Sequence, residues 1–432
     1  MRMKENKYNN CLKDMYGLRR FGIKLGLSTI RRILENLENP QDNTCLIHVA
    51  GTNGKGSIAS GISSILHAAG YKVGLYTSPH LIRFNERICI NNRQISDENV
   101  VLAYEAVKNV HYGSREPTFF EFATAMALYE FGKRKTDFAV IETGMGGRLD
   151  ATNIINPVMT IISNISIEHK MYLGNTIAQI AGEKAGIIKE RIPVVTGVKQ
   201  KSAIAAIKKI SEEKSAPMYQ FGNAFRVRKS QNKDSEFTYS GIQNVWKNMR
   251  TALPGNHQIE NAALCLAACE LLSGTQSLHI REDAMRNGLE QNKWPGRLEI
   301  VSKSPFVILD GAHNLVAANK LSRFLEQNHK NRNITLVVGI LDDKPYQAML
   351  KIMVRGCKQV ILTCPSIDRA LSPETLYPVV KPLVSDIKII HDVGEALKHA
   401  VQTAGADDVV CAAGSLYVIG EAKQWLEKNP LS

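Results

Sequence analysis

Apolar residues recur along the chain in two alternating rhythms. Ile30, Ile33, Leu34 and Leu37 fall at helical spacing, with Ser28 placed to cap that helix and Asn39-Pro40 to end it. The short apolar run 45–49 reads as a buried strand. After a glycine-rich turn, Ile58, Ile62, Ile65 and Leu66 mark one face of a second helix. Further strand-like runs lie at 72–76, 138–141, 159–162 and 193–196, with helical patterns between several of them, such as Phe122, Met126 and Tyr129. Strands that alternate with helices predict βαβ units, a mostly parallel sheet covered by helices. Residues 221–250 break the rhythm. They are polar, contain Arg226, Arg228, Lys229 and Lys233, and are expected to form a hairpin excursion. Helical pattern resumes after Pro254-Gly255. Near Trp294-Pro295-Gly296 the alternation restarts, with strands expected at 306–310, 334–340, 359–363, 387–390 and 409–412. The expected fold class is α/β: a mostly parallel sheet domain over residues 1–294 and a smaller, Rossmann-like domain over residues 295–432.

Composition changes this picture little. The 432 residues allow two or three domains at roughly 150 residues each. Lys and Arg number 54 against 41 Asp and Glu, a formal charge of +13. That excess favours anionic partners of any kind: nucleic acid, anionic lipid, nucleotide or polycarboxylate. No long basic run and no basic stripe interleaved with aromatics occurs, so the charge reads as a solvated surface and nucleic acid is not expected. The eight cysteines contain no Cys-x-x-Cys pair, and Cys265 and Cys269, at helical spacing, have no histidine nearby in sequence. Structural zinc and a disulfide framework are therefore not expected, which fits a reducing compartment. Residues 1–10 are polar and lack the apolar core of a secretory signal. No apolar stretch approaches the ~20 residues of a membrane span. A cytoplasmic monomer with no membrane partner is expected.

The strongest chemical signal is Gly51-Thr52-Asn53-Gly54-Lys55-Gly56-Ser57, between a strand and a helix. Glycines let successive backbone N–H groups turn inward towards phosphate oxygens; the helix N-terminus adds partial positive charge and Lys55 a full one. Ser57 is placed to reach a magnesium ion. Gly56 separates Lys55 from Ser57, so the common Gly-x-x-x-x-Gly-Lys-Ser/Thr pattern is not matched literally, although every physical part of it is present. The alternative is an ordinary tight turn with an exposed lysine. The strand before and the helix after favour the phosphate cradle, and hence a P-loop ATPase domain.

Other polar groups follow expected strands. Glu142 opens a glycine-rich segment that runs to Asn153 and is expected at the carboxyl edge of the sheet, where ligand crevices open and a carboxylate can hold Mg²⁺. A flexible loop carrying a surface acid is the competing reading. His169, in Ile165-Ser166-Ile167-Glu168-His169, follows another strand; a lone histidine is as readily structural as functional. Lys184 lies late in a helix expected over 176–188. It either caps the helix dipole, a role Lys189 fills better, or is a partly buried nucleophile able to take up CO₂ as a carbamate. In the second domain, Asp310 to Asn314 follow a strand, Arg297 lies in the linker, and Ser415 opens the last helix. Asp310 and Arg297 are expected to meet ATP in a cleft between domains. For Arg297 a linker salt bridge competes.

Together these segments resemble the folylpolyglutamate synthase/dihydrofolate synthase family of the Mur ligase superfamily. The resemblance rests on His48 through Ser57, Thr77-Ser78-Pro79-His80-Leu81, Phe84-Asn85-Glu86-Arg87, Gly144 through Asn153, Glu183 through Ile187, Pro295-Gly296-Arg297, Asp310 through Asn314, and Gly414 through Tyr417. The family's Asp-His pair reads Glu168-His169 here. The resemblance implies an ATP-dependent acid–amino-acid ligase of folate biosynthesis. It would add L-glutamate to dihydropteroate, to folate polyglutamates or to both, through an acyl phosphate. It implies a Mur-ligase-like ATP-binding domain over 1–294 and a glutamate-ligase domain over 295–432. ATP would contact Asn53, Gly54, Lys55, Gly56, Ser57, Asn261, Arg297 and Asp310. Two Mg²⁺ ions would be bound through Ser78, Glu142 and His169, and Lys184 corresponds to a lysine carbamylated in relatives. His313 and Ser415 would handle glutamate, with Lys55, Lys184 and His313 as the catalytic residues. Thr118, Phe119, Phe120, Glu121, Leu149, Asp150 and Ala151 would receive dihydropteroate. Mur-type cell-wall peptide ligases are an alternative, but they carry a sizeable UDP-sugar domain before the P-loop, where only residues 1–50 stand here. A P-loop ATP-binding regulatory protein is the alternative outside the ligases.

Overall fold

A computed structural model describes residues 2–22, 24–230, 235–275 and 278–431, so Met1 and Lys233 of the sequence readings lie outside it. The chain forms two compact units, Met1–Ala252 with Gln258–Lys293, and Leu253–His257 with Trp294–Ser432. The short segment Leu253–His257 thus joins the unit expected to begin at residue 295. The physical reason is close packing: a Cβ on Gly255 would lie 2.9 Å from a methyl of Leu298.

In the first unit the strands are β1 (Cys45–Ala50), β2 (Val73–Tyr76), β3 (Ile88–Ile90), β4 (Arg93–Gln94), β5 (Phe138–Glu142), β6 (Met159–Ile162), β7 (Val194–Thr196) and β8 (Met218–Gln220). Among the described residues they form one sheet in the order β4-β3-β2-β5-β1-β6-β7-β8. From β2 to β8 every pairing is parallel, while β3 and β4 add antiparallel at one edge. β1 and β5, fully or almost fully buried, sit at its centre because helices cover both faces. The excursion expected over 221–250 is a separate antiparallel sheet of β9 (Arg226–Lys229), β10 (Glu236–Ser240) and β11 (Val245–Arg250). Glu270 fastens it: this buried carboxylate accepts hydrogen bonds from Tyr239 and from the backbone of Ile242, Gln243 and Asn244.

Two local expectations change. The helix expected to be capped by Ser28 begins at Ser28 itself, with Leu27 in the cap position and no side-chain cap. Residues 1–10, read only for their polarity, belong to a helix, Arg2–Gly17, that buries Tyr8, Cys11 and Met15 along one face.

The second unit holds β12 (Glu299–Lys303), β13 (Phe306–Asp310), β14 (Ile334–Val338), β15 (Gln359–Leu362), β16 (Asp386–Ile389) and β17 (Val409–Ala413). Their order is β12-β13-β17-β14-β15-β16, parallel except for β12. β12 escapes sequence reading because its burial alternates weakly along a half-exposed edge. β13 and β17 pair in register to their ends, Asp310 beside Ala413, so the segments after both strands emerge at one edge of the sheet.

Helix Lys55–Ala68 packs against helix Glu282–Gln291 where Gly288 meets the backbone of Ile65. A Cβ at Gly288 would stand 2.4 Å from the Ile65 Cα, a contact backbone cannot yield. Gly288→Ala is therefore expected to cost about 1–3 kcal/mol, read as a lower midpoint in urea denaturation followed by circular dichroism.

Candidate active site

The turn between β1 and helix Lys55–Ala68 is held by its neighbours through its carbonyls. The Gly51 carbonyl accepts from Lys184 Nζ at 2.8 Å. The Asn53 carbonyl accepts from Ser163 Oγ at 2.8 Å and Asn164 Nδ2 at 2.7 Å. Asn53 N donates in return to Asn164 Oδ1 at 3.0 Å, and Thr52 N to the Asn164 carbonyl at 2.8 Å. With carbonyls turned into the protein, the helix start presents N–H groups that have no intrahelical partner. Gly54 supports this turn at φ 84°, and a Cβ there would meet the Asn261 amide oxygen at 2.8 Å. Gly51 is required by space as well: its Cβ would stand 1.9 Å from Ser163 Oγ. Gln258 Nε2 reaches Ser57 Oγ at 3.4 Å, and Asn261 donates to Gln258 at 2.8 Å, so Asn261 borders the turn from helix Asn256–Thr275. Gly56 and Ser57 lie in the helix's first turn.

Beside the turn, Glu142 ends β5, in register with Val49 of β1. Its Oε2 accepts from Ser78 N at 3.1 Å, and its Oε1 lies 4.0 Å from Lys55 Nζ. Both Lys55 and Glu142 are largely buried, with side chains 15% and 6% exposed. Lys55, Ser78 and Glu142 are thereby brought together. His169 stands at the exposed start of the short helix Lys170–Leu173, in left-handed backbone at φ 45°, one residue after Glu168.

Lys184 is wholly buried near the end of helix Ile177–Ala185 and is no dipole cap. Its Nζ donates to Glu168 Oε1 at 2.7 Å as well as to Gly51. Burial pushes its pKa down to about 8, against the opposing pull of Glu168 and with help from the Lys55 charge. Burial acts on Glu168 in the raising direction, but Lys184 and Lys55 outweigh it and hold that carboxyl below its usual range.

The segments expected to receive dihydropteroate have structural duties of their own. Thr118 and Glu121 form a capping box at the start of helix Phe119–Arg134, and Arg115 grips the buried Glu121 carboxylate with two nitrogens at 2.9 and 2.7 Å. Asp150 caps the turn Ala151–Ile154, accepting from Met145 N, Thr152 N and Thr152 Oγ1. Burial raises its pKa, although these donors oppose the rise. Ala151 is buried beside it and Leu149 is half-buried. Phe119 and Phe120 remain half-buried, and Phe119 faces a cluster of Tyr16, His80, Phe84 and Arg87.

Within the second unit, Asp310 accepts from Leu298 N at 2.8 Å and Ala312 N at 3.0 Å. Burial pushes its pKa up, with Arg297 opposing. Arg297 and His313 both contact the Gly311 carbonyl, at 3.2 and 2.8 Å. Asn314 and Ser415 cap the helices Leu315–His329 and Leu416–Lys428 through their side chains. Two helix N-termini thus open after neighbouring strands β13 and β17, with Arg297 and His313 at one of them, a setting suited to an anion.

Sequence reading gave no role to Ser163, Asn164, Gln258, Tyr16, Arg19 or Arg87. The first two were findable, since they follow β6 at the carboxyl edge of the sheet.

The chain matches the Mur ligase middle domain over residues 49–269 and the Mur ligase glutamate ligase domain over residues 296–416. It is 38% identical over 430 residues to the dihydrofolate synthase/folylpolyglutamate synthase of Bacillus subtilis, covering 97% of this chain and 99% of that protein. It is similar in structure to a crystal structure of folylpolyglutamate synthase from Thermotoga maritima, with a TM-score of 0.87, 36% identity and 98% of each chain covered. E. coli FolC in complex with DHPP and ADP gives a TM-score of 0.89 at 29% identity, again covering 98% of each chain.

Lys184 makes stability depend on pH. Its pKa falls from 10.5 to about 8 in the folded chain, so between these values the unfolded chain binds the additional proton. Its contribution to stability should therefore rise as pH increases from about 8 to 10.5. The stability–pH slope of the native chain in that window should exceed that of Lys184→Met.

Proposed function

Because the chain belongs to the dihydrofolate synthase/folylpolyglutamate synthase family, we propose that it uses ATP to join L-glutamate to dihydropteroate, to folates already carrying glutamate, or to both. The observation that carries this reading is the turn at 51–54, whose carbonyls are tied back by Lys184, Ser163 and Asn164 while Lys55 lies beside Glu142. That arrangement suits a triphosphate, and the E. coli and Thermotoga relatives extend over almost the whole chain.

The chain's own residues take these roles. Asn53, Gly54, Lys55, Gly56 and Ser57 receive the phosphates, with Asn261 bordering the turn. Arg297 and Asp310 are assigned to ATP, and His313 and Ser415 to glutamate. A carboxylate is a poor acylating agent, so its oxygen first takes the γ-phosphoryl group and ADP leaves. The amino group of glutamate, as the free amine, then attacks the acyl carbon; phosphate departs and the nitrogen loses its proton. Lys55 offsets negative charge at the transferred group.

The residues also fit Mg²⁺. Glu142 and Ser78 place a carboxylate beside a hydroxyl residue, hard oxygen donors, with His169 assigned as the third ligand. Among the described residues no three His, Cys, Asp or Glu side chains form a metal cluster, which suits an ion, or a pair of ions, coordinated largely by water and phosphate. When bound, Mg²⁺ supplies charge neutralisation at the phosphate oxygens. A carbamate on Lys184 fits less directly. Its lowered pKa provides free amine for CO₂, but Glu168 at 2.7 Å already holds that nitrogen and opposes a new anion there. Carbamylation would require Glu168 to let go.

The reading needs neither nucleic acid nor a membrane partner, and no helix among the described residues is long and apolar enough to cross a membrane. A cytoplasmic monomer is part of the proposal, checked by light scattering for the monomer.

Purified protein given ATP and Mg²⁺ should release phosphate strongly only when both glutamate and the acid are present. Release without them favours a regulatory ATPase, and activity only with a UDP-linked muramyl acceptor favours a Mur peptide ligase. Mass spectrometry of products from dihydropteroate and from tetrahydrofolate, run separately, decides the acceptor. Lys55→Ala should lower kcat by about 10²–10³, and an unchanged rate would overturn the assignment. Lys184→Ala should also lose most of its activity; full turnover at low CO₂ would remove Lys184 from the machinery.

A further inference from the structure

Five side chains from four separate segments converge two residues beyond Ser78. Tyr16 comes from the end of helix Arg2–Gly17, Arg19 from the turn Leu18–Phe21, Arg87 from the turn Phe84–Arg87, and Phe119 from the first position of its helix. His80 lies among them. Arg87 Nε donates to His80 Nδ1 at 2.7 Å, and Tyr16 Oη lies 3.4 Å from His80 Nε2. A guanidinium donor at Nδ1 leaves that nitrogen unprotonated, so the neutral ring carries its hydrogen on Nε2. Burial, Arg87 and Arg19 together press the His80 pKa down to about 3, in agreement with that tautomer. The Arg19 guanidinium lies 4.2 Å from the Tyr16 ring centre and 5.0 Å from that of Phe119; Arg87 lies 5.1 Å from the same Phe119 ring. Arg87 is buried, only 5% exposed, while Arg19 is exposed.

Two guanidinium groups around one imidazole and one aromatic ring repel each other in a partly dry setting. Folding keeps such a group where an anion completes it, and the two flat rings beside it suit an arene. Ser78, two residues before His80, is held at the Glu142 carboxylate, so the cluster adjoins the phosphate-transfer groups.

We propose that Arg19, Arg87 and the His80 Nε2–H bind a carboxylate of the acid substrate, while Tyr16 and Phe119 cover the aromatic ring that bears it. These are specificity-determining residues, and the proposal rests on the ligase reading above. It names an aryl-linked carboxylate as the acceptor's recognised feature and sets the N-terminal segment as one wall of its site.

Calorimetric titration of the full chain with pteroate and with its uncharged carboxamide tests this. The native chain should bind pteroate roughly tenfold or more tighter than the carboxamide. Arg87→Met should abolish that preference and Arg19→Met reduce it, with carboxamide and ATP affinities unchanged. Should Arg87→Met fail to fold, the exposed Arg19 decides through its own variant. A preference for pteroate that survives in both variants, or equal loss for acid and amide, would overturn the proposal. A native chain that binds ATP but neither pteridine would instead sink the acceptor assigned under the ligase reading, and this inference with it.

Discussion

Everything at the first unit's site depends on where the carbonyls of residues 51–53 point. Each is consumed by a neighbour: Gly51 by Lys184, Thr52 by Lys55 at 3.4 Å, Asn53 by Ser163 and Asn164. A peptide group whose oxygen is fixed cannot rotate, so its N–H direction is fixed with it. That is how a turn of small residues becomes a rigid anion cradle instead of a mobile loop, and why Gly51 and Gly54 leave no room for a side chain. The anchors come from the β6 exit and from helix Ile177–Ala185, so the turn is shaped by residues more than a hundred positions away.

The same contacts set the electrostatics. At 4 Å an ion pair is worth about 4 kcal/mol at an effective dielectric of 20, comparable with the loss of hydration on burying one ammonium group. For Lys184, 1% exposed, desolvation wins and the pKa falls. For Glu168, 17% exposed, the two lysine charges win and the carboxylate is held ionised. One pair therefore contains a group kept charged and a group pressed towards neutrality, the property that distinguishes Lys184 from the solvated lysines on the surface.

Fold and recognition share residues around helix Phe119–Arg134. Thr118 and Glu121 spend their polar atoms on the capping box and on Arg115, so contact with a flat substrate falls to the phenylalanines between them. Asp150 likewise spends its oxygens on the turn it caps, and it shapes the pocket through the backbone of 151–154.

Hydrophobic periodicity by itself determined that this chain is α/β, where the buried parallel strands lie, and that a glycine turn with Lys55 stands between β1 and its helix. These are local properties, written in spacings of a few residues. Glu142 and Ser415 were also legible, because functional groups follow strands at the carboxyl edge of a parallel sheet. Edge strands β3, β4 and β12 were not legible, since they are short or half-exposed and carry little pattern. Nor was the pinning of the turn by Ser163, Asn164 and Lys184, nor the meeting of Tyr16 and Arg19 with His80 and Arg87. Those depend on which strands become neighbours and how a helix crosses the sheet. Only the folded chain decides that, because contacts between distant residues leave no spacing in the sequence to be read.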